Sequence, residues 1–249
     1  MIVPFLQRRW WLFQNRILLT LAVALILPIF LYLGLSLILK NIIVRSVAEI
    51  PYQLWVIPGM MFLISMLALI PILYRDFFDL RIHKKTLLPM SLAPLSKPLL
   101  VTGILMAALL EALFYTILGF VIFVILSGIS MPWYDFLVIL VFSILFNLLV
   151  GNLVITISLL TDRISIYMTV LLSLVILLMF CSGLFVEFEF YPVTLGEILK
   201  NIPTSMVLRA TRHILYVREF PYVLVIVPLV VSVIWTYLNG FFLRWRLHQ

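Results

Sequence analysis

Few residues of this chain have the types and spacing that catalysis or metal binding requires. The three histidines, His83, His213 and His248, fall in three separate segments, and the single cysteine, Cys181, lies in an apolar run where packing is its expected role. No Cys and His spacing matches a zinc site, and no G-x-x-x-x-G-K-[ST] loop is available to hold ATP phosphates. We therefore predict no catalytic residue, no metal site and no cofactor in this chain.

One carboxylate, Glu111, lies deep inside an apolar run. A charged carboxylate at the centre of a bilayer costs about 2.5–3.5 kcal/mol on insertion scales, so Glu111 is expected to face protein or water, or to be protonated. Gly103, Ala107, Tyr115 and Gly119 recur with it every four residues on one helix face, a spacing of small residues that allows close packing. Two roles stay open: a hydrogen bond across a helix interface, or a polar point lining a substrate path or gate.

Polar residues recur in the next apolar run. Ser143, Asn147 and Gly151 share one helix face, and Asn152 and Thr156 share the next. An amide between membrane helices contributes on the order of 1 kcal/mol to their association. We expect Asn147 and Asn152 to hold helices together.

The elements that position these residues are six apolar runs. The chain is 65% hydrophobic and 11% charged, whereas a soluble domain is about 45–50% apolar and 25% charged, so lipid is the expected solvent. A membrane helix needs about 20 apolar residues. Spans are predicted near 17–39, 54–74, 99–126, 136–160, 166–186 and 222–243. The fold class is thus an all-α integral membrane protein, with one transmembrane domain over 1–249.

The distribution of basic residues predicts the orientation of the spans. With the N-terminus in the cytoplasm, 11 of the 17 Lys and Arg residues fall on the cytoplasmic side, and four of the other six lie in one long outer loop. Cytoplasmic loops carry an excess of Lys and Arg. We predict a plasma (inner) membrane protein with both termini cytoplasmic. The net charge of +7 then reflects membrane orientation rather than a nucleic-acid partner.

The N-terminal segment, 3–15, is not long enough to span. It sets Arg8 and Arg9 beside Trp10 and Trp11; tryptophan favours the headgroup zone and arginine the anionic cytoplasmic leaflet. Two interpretations are open, an interfacial helix leading into the first span or an ordinary flank of that span.

The predicted cytoplasmic loop, 75–98, is longer than a simple connection between two spans needs to be. Its first half is polar and basic, and its second half is apolar and divided by prolines. We predict a short helix along the membrane face that docks a cytoplasmic partner; a solvated basic loop without a partner is the alternative. The candidate contacts are Asp76, Asp79, Arg81, His83, Lys84, Lys85 and Leu88.

The outer segment, 187–221, is too apolar for a free loop. Pro192 and Pro203 divide it into pieces of two helical turns and of a longer helix. We expect a re-entrant hairpin of two short helices that dip partly into the outer leaflet, where the backbone must be satisfied by helix or covered by protein.

Short motifs occur in a fixed order along nearly the whole chain: YQLWVIPGMM at 52–61, APLSKP at 93–98 followed by Gly103, TDRIS at 161–165, SGLF at 182–185, YP at 191–192 and NIPT at 201–204. Their order resembles that in the membrane permeases of type-2 ABC transporters, a family that includes exporters of drugs, lipids and polysaccharides. In this resemblance they correspond to the Pro-Gly start of the second span, the segment after the coupling helix, the turn between the fourth and fifth spans, and the outer hairpin.

The resemblance implies a function. Such a permease is half of a translocation path, and it pairs with a second half and with two separate ATPase subunits that bind ATP and Mg. It implies export of an amphipathic, lipid-linked or drug-like substrate, and a homodimer whose interface involves the first and fifth spans; a heterodimer with a related permease stays open. The chain departs from the family at Lys84, Lys85, Leu87 and Leu88, where acidic residues are frequent.

Two other classes of function remain as alternatives. One is a membrane scaffold or sensor that associates with an ATPase without transporting. The other is a membrane-embedded enzyme acting on lipids, which would need clustered polar residues at one membrane face. An adjacent reading frame for an ABC ATPase would favour the exporter over the enzyme.

Overall fold

The computed structural model describes residues 3–15, 17–42, 50–91, 96–129 and 131–247. Within these ranges the chain is almost entirely helical and contains no β-strand. The helices are α1 (Val3–Gln14), α2 (Ile17–Leu31), α3 (Tyr52–Leu73), α4 (Leu87–Ser91), α5 (Lys97–Ser127), α6 (Trp133–Leu160), α7 (Ile164–Cys181), α8 (Val193–Lys200), α9 (Pro203–Tyr216) and α10 (Tyr222–Leu247). Helix α2 continues through a π-helical turn, Tyr32–Ser36, to Leu37–Ile42, and α3 continues through another, Tyr74–Asp79, to Leu80–Ile82.

Six of these helices, α2, α3, α5, α6, α7 and α10, are long and apolar enough to cross a membrane. The qualifying stretches are Thr20–Leu39, Tyr52–Ile82, Lys97–Ser127, Trp133–Leu160, Ile164–Cys181 and Tyr222–Arg246. The prediction of an all-helical, multi-pass membrane protein is confirmed at this level.

Helices α3 and α6 form the centre of the bundle. Their apolar stretches are 89% and 72% buried, against 17–33% for the other four. Helix α3 packs against α5 and α6, and α10 packs against the same two helices. Small residues allow the close approach: a Cβ at Gly119 would lie 3.0 Å from Ile64 Cδ1, and one at Gly151 would lie 2.6 Å from Leu105 Cδ1. In lipid, such close packing drives helix association.

The second span is longer than the sequence predicts. It was expected to end near residue 74, and the helix instead runs on to Ile82. The extension is anchored by Phe77 and Phe78, which are fully buried, with the Phe78 ring centroid 4.7 Å from that of Tyr167. The 31 residues from Tyr52 extend over about 46 Å, more than the ~30 Å of a hydrocarbon core.

The fifth span is shorter than predicted. It ends at Cys181 rather than near residue 186, and Gly183 then turns the chain in the left-handed region, with φ of 74°. The turn brings Leu184 against α3, where its carbonyl occupies the space that a Cβ of Gly59 would need. Leu184 and Phe185 are therefore buried in a turn, at positions where the sequence predicts the last turn of the helix.

The two ends of the bundle are built differently. Asp162 pairs with Arg81 on the extension of α3 and with Arg246 near the end of α10, while Arg9 of α1 pairs with Asp76. Both ends of the chain thus meet at one end of the bundle. We call this end, with α1, residues 75–91 and the turn 161–163, the N-terminal face. Helices α8 and α9 lie at the opposite end, the hairpin face.

Candidate functional site

The N-terminal face is organised by Arg9 of α1, which links two spans. Its guanidinium donates a hydrogen bond to Glu111 Oε2 on α5 at 2.5 Å and another to Asp76 Oδ2 on the extension of α3. Arg9 is 8% exposed and Asp76 is 2% exposed. The cation therefore compensates two carboxylates that burial alone would make costly.

Helix α1 presents Arg9 because an apolar face of the helix packs on α5. Phe5, Arg9 and Phe13 are four residues apart and share that face. Phe5 fits where Gly103 has no side chain, since a Cβ there would lie 2.9 Å from Phe5 Cε2. The Phe13 ring meets that of Phe114 edge-on at 5.9 Å between centroids. Two aromatic contacts thus hold the arginine between them.

Asp76 collects two further arginines. Arg8 Nη2 lies 3.5 Å from Asp76 Oδ1 and Arg75 Nε lies 3.4 Å from the same oxygen. Three guanidinium groups therefore surround one buried carboxylate. The Nη2 atom of Arg75 is buried and has no hydrogen-bond partner in the described part of the chain.

Two groups of predicted coupling residues follow on this face: Asp79 with the residues that pair with it, and the exposed tip that contains Lys84 and Lys85. Asp79 pairs with His83 Nδ1 at 3.2 Å and with Lys84 Nζ at 3.3 Å. Lys84 is 58% exposed. Lys85 is exposed and has a φ of 53°, which lies in the left-handed region that ends a helix.

The apolar half of the predicted coupling segment is described in part. Leu87 is fully buried and begins the short helix α4. Leu88 belongs to that helix, but its side chain lies outside the described residues, as do positions 92–95. Helix α4 thus starts on a buried anchor just after the charged tip.

Arg81 is bound within the chain rather than free on the surface. It donates to the carbonyl of Ser158 at 2.8 Å and to that of Thr161, and it pairs with Asp162 at 2.9 Å. Arg246 of α10 donates to the Leu160 carbonyl at 2.9 Å. The turn between α6 and α7 is therefore tied to the extension of α3 and to the last span. Arginine suits this role because its planar fork can satisfy several oxygens at once.

Asn152 is the centre of a polar network between α6 and α10. Its amide donates to the Ser232 carbonyl at 3.2 Å and to Thr236 Oγ1 at 2.9 Å, and it accepts from Asn239 Nδ2 at 2.9 Å. Thr156 donates to Asn239 Oδ1 at 2.8 Å. Both asparagines are fully buried, so each polar group finds its partner on the facing helix.

Asn147 makes a simpler contact. Its Nδ2 donates to Ser65 Oγ on α3, and its Oδ1 is buried without a partner among the described residues. Asn147 and Asn152 therefore face different neighbours, α3 and α10, as their different helix faces imply.

At the hairpin face, Arg212 of α9 binds three backbone carbonyls. It donates to Gly183 at 2.8 Å, to Leu184 at 3.3 Å and to Trp55 at 3.3 Å. Its guanidinium also lies 3.4 Å above the Trp55 ring, a cation–π contact. Burial lowers the pKa of Arg212, but the guanidinium stays protonated at neutral pH. The arginine thus joins α9 to the start of α3 and to the turn after α7.

An ion pair lies just after the C-terminal end of α9. Arg218 Nη1 lies 2.5 Å from Asp135 Oδ1 at the start of α6, and the hydrogen bond to Asp135 raises the pKa of Arg218. Tyr216 donates to the Leu54 carbonyl at 2.8 Å. These contacts dock the hairpin onto three spans.

No family model, no curated protein and no solved structure is similar to this chain. The function must therefore be argued from the geometry described above.

No group of three or more His, Cys, Asp or Glu side chains in the described ranges lies close enough to hold a metal ion. His83 and His213 lie on opposite faces of the bundle, and His248 is outside the described residues. At each face, arginines connect the ends of helices.

Two of the connecting residues were missed as partners of the spans: Arg9 was noted only as a basic residue of the interfacial segment, and Asn239 was not singled out. Each had a signal of the kind that identified Glu111. Arg9 lies midway between Phe5 and Phe13 on one helix face, and Asn239 follows Ser232 and Thr236 at helical spacing. A search of each helix for polar residues that share a face, and could bond to another helix, would have identified both.

Proposed function

We propose that this chain is the transmembrane permease subunit of an ATP-driven ABC exporter and forms half of its translocation path. ATP and Mg are bound by a separate ABC ATPase subunit. The observation that carries the proposal is the tip at 83–86, an exposed charged turn whose base is tied by arginines to α1 and to the turn between α6 and α7. A push on this tip would reach several helices of the N-terminal face together.

Six of the seven candidate coupling residues take different parts in this proposal. His83, Lys84 and Lys85 are exposed and would contact an acidic surface of the ATPase. Asp76 and Arg81 are buried or nearly so, so they would transmit motion rather than bind the partner. Asp79 pairs with two residues of the tip and would hold it in shape.

The placement of the non-spanning helices supports the same class. Helix α1 precedes the first span and packs on α5, α4 lies between the second and third spans, and α8 with α9 precede the sixth. The exposed Trp10 and Trp11 on α1 suit the headgroup zone. This order agrees with the resemblance to type-2 ABC permeases in the sequence, with α4 as the coupling helix and α8 and α9 as the outer hairpin.

The least buried spans supply a surface for a second copy. The apolar stretches of α7 and α2 are 17% and 28% buried. In the described part of the chain, the only buried residues of α7 are Tyr167, Val175 and Leu178. We propose a homodimer that joins along these two spans and lines the path for an amphipathic, lipid-linked or drug-like substrate. Lipid would cover the remaining apolar surface.

The proposed location is the plasma (inner) membrane, with the N-terminal face and both termini in the cytoplasm. Basic side chains at that face support this orientation, since positive residues collect on the cytoplasmic side. The described ones are Arg8, Arg9, Arg75, Arg81, Lys84, Lys85, Lys97, Arg163, Arg244 and Arg246.

Purification of the tagged chain from membranes in mild detergent, followed by mass spectrometry of the proteins that accompany it, tests the proposal. We expect an ABC ATPase in about equal amount. Single cysteines at Lys84 and Lys85 should crosslink to it, while a cysteine at Lys200 on the hairpin face should not. Recovery of the chain without an ATPase under several gentle conditions would contradict the exporter and leave a scaffold or sensor as the better reading.

A further inference from the structure

A cleft of about 500 Å³ opens between α1, α2, α3 and α5 at the N-terminal face. This volume falls in the ~300–1,000 Å³ range of small-molecule sites. It lies within one copy of the chain. Its lining includes Lys84 of the tip, and Val23 and Leu27 of α2, so it borders the surfaces proposed for the ATPase and for the second copy.

The lining of the cleft changes from apolar to charged along its length. Its inner part has Val23 and Leu27 of α2 facing Leu67 of α3, and its charged part has Arg75 and Lys84 together with the carboxylates of Asp79 and Glu111. From Leu67 to Arg75 the helix rises by about 12 Å. Glu111 is paired with Arg9 and Asp79 with Lys84, so the apolar interior beside Arg75 matches a molecule with a hydrocarbon tail and an anionic head.

Arg75 carries the argument for an anionic ligand. Its Nε is paired with Asp76 at 3.4 Å, but its Nη2 is buried and without a hydrogen-bond partner in the described chain. A buried donor of a charged group without a partner is unfavourable, and the guanidinium fork fits phosphate oxygens well. Lys84 lines the same part of the cleft, but its charge is paired with Asp79, which His83 also contacts.

We propose that this cleft binds one anionic phospholipid from the leaflet next to the N-terminal face. The phosphate accepts a hydrogen bond from Arg75 Nη2, and an acyl chain lies between Val23 and Leu67. Basic pockets between membrane helices recognise anionic headgroups in this way. The bound lipid would fill the space between α2 and α3, so it would set how α2 packs on the bundle. Binding of this lipid requires no ATPase, so it is tested independently of the transport proposal.

Native mass spectrometry of the full chain in mild detergent, titrated with phosphatidylglycerol or phosphatidylcholine, tests the site. We expect the wild type to retain one phosphatidylglycerol in preference to phosphatidylcholine. Arg75→Gln should weaken that binding about tenfold, as the loss of one charge-assisted hydrogen bond would. Arg244→Gln is the matched control, because Arg244 is exposed on the same face and outside the cleft, and it should bind as the wild type does.

A second pair of variants tests the tail site without touching the charge. Val23→Trp fills the cleft and should reduce retention, whereas Ile26→Trp, on the exposed side of the same helix, should not. Melting temperatures of all four variants report whether each has folded. Equal binding of both lipids, or retention unchanged in both Arg75→Gln and Val23→Trp, would overturn the proposal. Displacement of the lipid by inorganic phosphate alone would also overturn it, since the tail would then contribute nothing.

Discussion

Arg9 and Glu111 are 102 positions apart in sequence and are joined by a hydrogen bond of 2.5 Å. The bond connects the N-terminal helix to the third span, and the same guanidinium reaches Asp76 at the end of the second. The carboxylate that stood out as costly in the sequence is therefore neutralised by a residue outside the spans. Through this one guanidinium, α1 is bonded both to α5 and to the extension of α3.

Substitutions at this pair should differ in cost. Glu111→Gln keeps the shape and one acceptor for Arg9, so we expect a loss of about 1 kcal/mol in the free energy of unfolding. Arg9→Met removes the cation from two carboxylates, one of them 2% exposed, and should cost about 3 kcal/mol. Unfolding in mixed micelles measures both.

The double variant, Arg9→Met with Glu111→Gln, completes a double-mutant cycle. Because the two residues are in contact, the effects should fail to add by about 0.5 kcal/mol or more. If Arg9→Met proved no more costly than Glu111→Gln, the bridge to Asp76 would contribute nothing and the three-helix connection would be wrong. Full stability of Glu111→Gln combined with loss of transport would instead favour a role for Glu111 on the substrate path.

The two intramembrane asparagines make a second, internally controlled comparison. Asn152→Leu breaks the hydrogen bonds to Ser232 and Thr236 and one of the two that Asn239 Nδ2 donates, so we expect a loss of about 2 kcal/mol. Asn147→Leu breaks one bond to Ser65 and removes an acceptor that had no partner in the described chain, so its cost should stay below about 1 kcal/mol. Unfolding in detergent ranks the two, and a larger loss at Asn147 would contradict the network.

The spans could be predicted from the sequence because a bilayer imposes length and hydropathy on each helix separately. The ends of spans could not, since contacts with other elements decide them. The second span continues to Ile82 because the side chains of Phe77 and Phe78 are buried there. The fifth stops at Cys181 because Gly183 turns and Leu184 packs on Gly59.

Only part of the candidate site could be predicted from the sequence. Glu111, Asn147 and Asn152 stood out because polar side chains are expensive in an apolar run. Their partners did not, because Arg9 fitted a headgroup role beside Trp10 and Trp11 and Asn239 lies near a basic helix end. Arg81 was predicted as a surface contact, and the structure gives it three oxygen partners within the chain. Charge in a sequence shows that a partner is needed but does not identify it.

Two glycines should respond in opposite ways to a methyl group. Gly59→Ala would place its Cβ against the backbone carbonyl of Leu184, which cannot move aside without shifting the hairpin turn. We expect a loss of about 1–3 kcal/mol. Gly34→Ala meets nothing within 4 Å, and it should be neutral or stabilising by about 0.5–1 kcal/mol because alanine favours the helix. Melting temperatures in detergent compare them, and equal effects would contradict the close contact between Gly59 and Leu184.

The last prediction separates binding of the proposed ATPase from transmission of its motion. Lys84→Gln combined with Lys85→Gly removes two exposed charges, and glycine suits the φ of 53° at position 85. We expect unchanged or slightly higher stability and reduced recovery of the ATPase. Arg81→Ala frees the turn at 161–163 and leaves Asp162 with only its longer contact to Arg246, 3.6 Å. It should cost about 1–3 kcal/mol of stability while the ATPase still binds.

Transport and ATP hydrolysis, measured together on reconstituted complexes, complete that comparison. The Arg81→Ala complex should hydrolyse ATP with less substrate moved per ATP, because the push at the tip no longer reaches α6 and α7. The lysine variant should lose both activities in proportion to the ATPase that it fails to recruit. If Arg81→Ala instead lost the ATPase while keeping its melting temperature, Arg81 would be a docking residue after all, and the contacts with Ser158, Thr161 and Asp162 would have to open when the partner binds.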